Sequence, residues 1–305
     1  MNRLLFGLIL FISRFPLWVL YPLSDLFYLL LISIFPYRKK VIDTNLKNSF
    51  PSLSNKELRK IRNQFYRHFA DLLIEGIKNL TISKEELSKR FKIENPAIVK
   101  SIIQKNESIL LISGHYGNWE WLITSLPLLL PYKAIGIGMP MTSSFWDKSV
   151  NKRRARFGMN VVNSGNYKQS LMDESLKAIL TLSDQSPGSA ENGYWTTFLN
   201  QPTAVLFGAE FMAHEYNFIP VFFSIRKVKR GYYSLSLIPF EKPLNQLNYG
   251  EITEWHSRLL EDEIIKSPSN WLWSHKRWKR QVPADLAMLK ENQKNRFEAR
   301  FRTEK

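Results

Sequence analysis

The 305-residue sequence contains no cysteine. Disulfides, thiolate metal ligands and a cysteine nucleophile are therefore excluded, and the redox compartment is left undecided. A serine nucleophile on a G-x-S-x-G elbow is absent too. Ser113 precedes Gly114 without the rest of that pattern, which argues against a thioesterase or lipase. Internal repeats and low-complexity linkers are lacking, so the length fits one large α/β domain or two small ones. Acidic residues are few: 27 Asp and Glu stand against 43 Lys and Arg, for a formal net charge of +16. That excess points to an anionic membrane, a phosphorylated substrate, an acidic protein or nucleic acid. No nucleic-acid motif accompanies it, so nucleic acid is not an expected partner.

Aromatic residues, in contrast, are plentiful, with 9 Trp, 12 Tyr and 20 Phe. They suit both a core and a membrane interface. Residues 1–36 are strongly apolar, running LLFGLILFISRFPLWVLYPLSDLFYLLLISIF, and are long enough to cross a bilayer. Arg14, Pro16, Pro22 and Asp25 interrupt the run, and no small-residue cleavage site follows it. Two readings stand: one kinked, membrane-anchoring helix, or a helical hairpin lying in the cytoplasmic leaflet. Arg38, Lys39 and Lys40 come next, which places the basic body on the cytoplasmic side.

Residues 41–107 read as helical. Ser54 with Glu57, and Ser83 with Glu86, form capping boxes. Leu58, Ile61, Phe65, Phe69 and Leu72 share a face, while Lys56, Arg59, Lys60, Arg62 and Arg67 occupy the opposite one. That basic face is either solvated or laid against anionic headgroups. From residue 108 the pattern alternates between strand and helix, predicting an α/β fold with a mixed central sheet flanked by helices. Strands are predicted at 108–113, 134–139, 160–163, 180–184, 218–226 and 231–239. Helices are predicted at 117–129, 143–157, 167–179, 204–216 and 250–266. Residues 284–305 form a basic, helix-prone tail, which divides the chain into an anchor (1–36), a main domain (37–283) and that tail.

The centre of interest is GHYGNWEW, residues 114–121. An apolar strand ends there, Gly114 and Gly117 permit a turn, and a helix begins. His115 can take a proton near neutral pH, and the carboxylate of Glu120 can fix its tautomer. On an ideal helix the two would stand roughly 140° apart, so they meet only if His115 lies in the turn. The spacing alone carries little weight, because His256 and Glu261 repeat it inside an amphipathic helix without glycine or a preceding strand.

With this block as its centre, the chain resembles the late acyltransferases of lipid A biosynthesis, the lauroyl/myristoyl transferase family. These belong to the wider glycerolipid acyltransferases with a His-x4-Asp/Glu motif. The likeness extends over nearly the whole chain. It includes the apolar N-terminus, GHYGNWEW and the basic helix ending in Arg153, Arg154, Ala155, Arg156, Phe157 and Gly158. It continues through Asp184-Gln185, the aromatic run 193–199, the strand from Ile219 to Arg226, and Trp273-Ser274-His275-Lys276-Arg277-Trp278-Lys279. Two features depart from the family: the stretch 137–143 around Gly138, and the polar loop 188–192. The Phe-Pro-Glu-Gly-Thr block of relatives that act on lysophosphatidic acid is missing.

The resemblance implies transfer of a fatty acyl group from acyl carrier protein, or coenzyme A, to a hydroxyl of a phosphorylated lipid A precursor. It implies no metal and no bound cofactor, and a position at the cytoplasmic face of the bacterial inner membrane among anionic lipids. His115 is then the general base and Glu120 its orienting carboxylate. Backbone N–H groups near Gly117 and Asn118 are candidates for binding the oxyanion. Arg156 is the first candidate for a phosphate or the oxyanion, with Arg153 and Arg154 as substitutes. Asp184 orders its loop, pairs with Arg156 or touches the acceptor, and Arg226 is a second phosphate candidate. The aromatic, basic segment 271–280 fits an interfacial or acidic-protein surface. Alternatives are an acyltransferase with another acceptor, such as an amino-acid lipid or a lysophospholipid, and a non-enzymatic basic binder.

Overall fold

The structure is a computed structural model that describes residues 2–302. Its centre is a seven-stranded sheet in the order β1-β9-β8-β2-β5-β3-β4. In chain order these strands are β1 (Phe91–Ile93), β2 (Ile109–Ser113), β3 (Lys133–Gly138), β4 (Asn160–Asn163) and β5 (Lys177–Leu182). After a separate hairpin of β6 (Gly193–Phe198) and β7 (Gln201–Leu206) come β8 (Ile219–Lys229) and β9 (Tyr232–Pro239). Every neighbouring pair in the large sheet is parallel except β8 and β9, which pair antiparallel across Gly231. The expected mixed α/β sheet is therefore present.

Strand β2 shows why the pattern reads as a continuous apolar run. It lies between β5 and β8 and is buried along its whole length. Leu110 and Ile112 pack on one face with Ile135, Ile179 and Ala213, while Ile109 and Leu111 pack on the other with Trp121, Leu126 and Phe223. A strand covered on both faces has no polar side to alternate with.

Helices α1 (Asn2–Ser13), α2 (Leu17–Ser33), α3 (Lys39–Ser49), α4 (Asn55–Asn79), α5 (Lys84–Arg90) and α6 (Pro96–Gln104) precede or flank the first strands. Among the described residues no single helix is long and apolar enough to cross a membrane; α1 and α2 pass that test only together, and they are bent by 119°. Three polar residues of α2, Tyr21, Ser24 and Asp25, face α4 and the β8–β9 hairpin, while Arg14 is exposed. Ser24 Oγ donates to Asp71, Tyr21 Oη to Glu75, and Arg230 bridges Asp25 and Asp71. Outward, Leu4, Leu8, Phe11, Trp18, Leu26 and Leu29 stay exposed.

The remaining helices are α7 (Trp119–Leu129), α8 (Ser144–Arg154), α9 (Gly208–Tyr216), α10 (Glu251–Lys266) and α11 (Leu286–Phe301). The tail expected as a basic helix is α11, held by Phe297 against Phe207, Tyr249 and His214. Residues 303–305 of that tail lie outside the described residues.

Two expectations fail in the middle of the chain. The helix expected at 167–179 is only a 3-10 turn, Tyr167–Leu171, and Lys177–Leu182 is strand β5. This strand is clamped between β2 and β3, so its apolar residues carry no period that separates it from a buried helix. The helix expected at 204–216 starts only at Gly208, because 201–206 pair with β6. Leu199 and Asn200 make that hairpin's turn, both with positive φ, 50° and 63°. Glu261 accepts the Leu199 N–H at 2.7 Å and supports this turn.

Candidate active site

The parallel pairing of β2 with β5 sets Ser113 opposite Leu182, so the residues that follow each strand emerge side by side. The C-terminal edge of a parallel sheet is where such loops converge. After β2 come Gly114 and His115; after β5 come Ser183, Asp184 and Gln185. Gly114 permits the approach: a Cβ there would lie 2.7 Å from Asp184 Cγ and from Leu260 Cδ2. Gly117 has φ +64° and faces the Ile225 carbonyl, so the turn around His115 needs glycine for both conformation and space.

Asp184 binds His115 twice. The imidazole Nδ1 lies 2.7 Å from Oδ1, and the His115 backbone N–H donates to Oδ2 at 2.9 Å. The indole of Trp271 donates to Oδ2 at 2.8 Å. Burial pushes this carboxyl up, but the His115 imidazole and the hydrogen bonds from His115 and Trp271 outweigh it and hold the pKa at about 2. An ionised carboxylate only accepts, so Nδ1 carries the proton and Nε2 is left as the basic nitrogen. Nε2 turns to the cavity, where the Gln185 side-chain amide stands 3.3 Å away.

The segment after α10 fastens the turn from behind. Gly117 N–H donates to Asn270 O, Leu272 N–H to His115 O, and Tyr116 bridges to Trp271. Trp271 and Trp273 are therefore buried supports rather than an interfacial surface. Arg277 is buried with them and donates to Thr203 Oγ1 and Ala204 O, which ties β7 to this segment.

The cavity in front of His115 measures about 590 Å³. Its walls are largely apolar, with Ile123, Ile137, Leu180 and Met212, and its polar side chains include Glu120, Arg154 and Gln185. Glu120, expected to orient His115, does not hydrogen-bond with it. Glu120 instead grips Arg154, Oε2 to Nε at 3.0 Å and Oε1 to Nη2 at 2.5 Å. Although His115 lies in the turn before α7, the start of that helix directs the Glu120 side chain to Arg154.

The other expected site residues sit elsewhere. Arg156 donates to the carbonyls of Arg153 and Ile82 and lies over the Phe157 ring. Burial and neighbouring Arg153 lower its pKa to about 10. Arg154, named as its substitute, is the arginine that lines the cavity. Asn118 caps α7 by accepting the Trp121 N–H and donates to buried Glu75. Arg226 pairs with Glu94 on the exposed strand surface, away from the cavity. Asp184 joins His115, not Arg156. Gln185 was legible only as part of a motif; its proximity to His115 arises from the pairing of β2 and β5, which no local pattern encodes.

The second His-x4-Glu pair is structural. His256 is buried in α10, and burial lowers its pKa to about 4. A buried neutral histidine with a depressed pKa stabilises the fold above the unfolded value of about 6.5, and this is lost as pH falls toward 4. His256 should thus cost about 3 kcal/mol of stability between pH 7 and pH 4. Thermal unfolding across that range should show a shallower pH slope for His256→Gln; an unchanged slope would remove His256 as a source.

No curated protein matches the chain. A chain of the Euglena gracilis mitochondrial ATP synthase structure (OSCP/F1/c-ring, rotational state 3) aligns over 79% of this chain and 82% of its own. Its identity is 9% and its TM-score 0.20, and it carries no argument about fold or function. The sequence profile described as bacterial lipid A biosynthesis acyltransferase, in contrast, matches residues 3–280, a span holding every residue of the cavity and of the His115–Asp184 pair. The chain belongs to the bacterial lipid A biosynthesis acyltransferase family.

Proposed function

We propose that the protein transfers a fatty acyl group from a thioester donor to a hydroxyl of a phosphorylated lipid A precursor at the cytoplasmic face of the inner membrane. The observation that carries the mechanism is a histidine held by a buried carboxylate at the wall of a large apolar cavity. His115 Nε2 takes the proton of the acceptor hydroxyl while Asp184 holds Nδ1–H and stabilises the imidazolium. The acceptor oxygen attacks the thioester carbonyl, forming a tetrahedral oxyanion. The C–S bond then breaks, and the imidazolium returns its proton to the departing thiolate. The apolar walls suit an acyl chain, and Arg154, braced by Glu120, is the cation available to an acceptor phosphate.

The exposed apolar faces of α1 and α2 support seating on a bilayer. Beside α2, Lys56, Arg59, Lys60 and Arg67 line a groove with Tyr28, a surface complementary to anionic headgroups. The positive charge also suits an acidic acyl carrier protein as donor.

The test is transfer by the purified protein from acyl carrier protein and from coenzyme A thioesters. The acceptors are a lipid A precursor, a lysophospholipid and an amino-acid lipid. Turnover with the lipid A precursor is expected, and turnover confined to another acceptor would overturn that assignment. Arg154→Met should raise the KM for a phosphorylated acceptor about tenfold, roughly the loss of one charge-assisted contact. An unchanged KM would retire Arg154 from that role.

A further inference from the structure

Acyl transfer through a tetrahedral intermediate needs a donor aimed at the developing oxyanion. Three backbone N–H groups of the His115 turn are already held. His115 N–H is held by Asp184, Tyr116 N–H by the Gly114 carbonyl at 2.8 Å, and Gly117 N–H by the Asn270 carbonyl at 3.0 Å. The Asn118 amide group donates to buried Glu75. Arg154 lines the cavity, but Glu120 and Asn151 hold three of its five N–H groups, and the other two are those offered to the acceptor phosphate.

We propose that the Gln185 side-chain amide, 3.3 Å from His115 Nε2 in the cavity wall, is the oxyanion donor of the transfer reaction. This rests on the acyl-transfer reading above. In the resting enzyme the amide points its N–H at the lone pair of the general base. That bond is long for a hydrogen bond and is cheaply given up. The acceptor hydroxyl must occupy the same lone pair to be deprotonated, and its arrival frees the amide. The attacked carbonyl then lies about 3 Å from the acceptor oxygen, within reach of a glutamine side chain whose backbone need not move.

The backbone of Gln185 is held from both sides. Asp184, before it, is locked by His115 and Trp271. Ser186, after it, donates its N–H to His275 Nε2 at 3.3 Å. Only a neutral imidazole can accept there, and burial lowers the His275 pKa to about 4. The amide is thus carried on a pinned backbone, as a preorganised donor requires.

The experiment compares wild type, Gln185→Ala and Gln185→Glu, with an acyl carrier protein thioester and a lipid A precursor over a pH range. Thermal unfolding serves as the check on folding. Gln185→Glu keeps the length and removes the donor. We expect kcat to fall about 10²–10³-fold in both variants. Acceptor KM should stay within about twofold, and in Gln185→Ala, which adds no charge beside the base, the pH midpoint of kcat/KM should not move. An active wild type with Gln185→Ala within threefold of it would overturn the role of Gln185 alone. So would a shifted pH midpoint with little loss of kcat in Gln185→Ala, since Gln185 would then act only on the basicity of His115. A wild type that transfers acyl groups to no acceptor overturns the acyl-transfer reading and this role together.

Discussion

Asp184→Asn is expected to lower kcat roughly 10³–10⁴-fold, the scale on which a base loses its tautomer-fixing carboxylate. Both oxygens of Asp184 are occupied by donors: Nδ1 of His115 on one, the His115 N–H and the Trp271 indole on the other. An asparagine amide presents a donor to one of those sets. It either points N–H at Nδ1, which forces the proton onto Nε2 and removes the base, or it opposes the backbone and indole N–H groups. Glu120→Gln should be far milder. Glu120 makes no hydrogen bond with His115, and its amide replacement still accepts from the Arg154 guanidinium. Its effect should appear in the acceptor KM, not in kcat. Steady-state rates at saturating donor separate the two, and a kcat loss at Glu120→Gln equal to that at Asp184→Asn would return the orienting role to Glu120.

The largest stability effect is expected at Glu75, which no substrate touches. This carboxylate is fully buried in α4 and accepts from Tyr21 Oη at 3.0 Å, Asn118 Nδ2 at 2.7 Å and Tyr233 Oη at 2.7 Å. It thus joins α2, the cap of α7 and strand β9. Burial pushes its pKa up, against the hydrogen bonds from Tyr233 and Tyr21 that favour the charge. Glu75→Ala leaves these donors without a partner in a dry site, at a cost of about 4 kcal/mol. In a chain of this length that is a fall in Tm of roughly 6 °C. Glu75→Gln should cost about 1 kcal/mol, because a tyrosine hydroxyl can turn to accept from the new amide. Calorimetry of both variants checks this, and equal Tm losses would mean that charge or packing, not donor satisfaction, governs the site. Because Asn118 caps α7 from this network, Glu75→Ala should also loosen the turn that carries His115.

The position of His115 was legible because local signals coincide there. An apolar run ends, two glycines open a turn, and Asn118 begins a helix, all within ten residues of sequence. The same signals failed for its partner. Glu120 is close along the chain, but the start of α7 turns it toward Arg154. Asp184 is far along the chain and adjacent in space, because β5 lies beside β2. Arg156 and Arg154 are two residues apart in a basic stretch, and only packing decides which of them faces the cavity. The 271–280 segment misled in the other direction. Tryptophans interleaved with basic residues resemble an interface by composition, yet Trp271, Trp273 and Arg277 are interior.

The sequence by itself thus determined the α/β fold class, the family and the turn that carries His115. Hydrophobic period, glycine placement and motif order act over short spans of chain and survive without knowledge of the fold. The tertiary structure alone decided which carboxylate holds His115, which arginine lines the cavity and where the amide of Gln185 stands. Those depend on the order of strands in the sheet and on side-chain direction at element ends. Both are set by burial of the whole core and by pairing between segments about seventy residues apart.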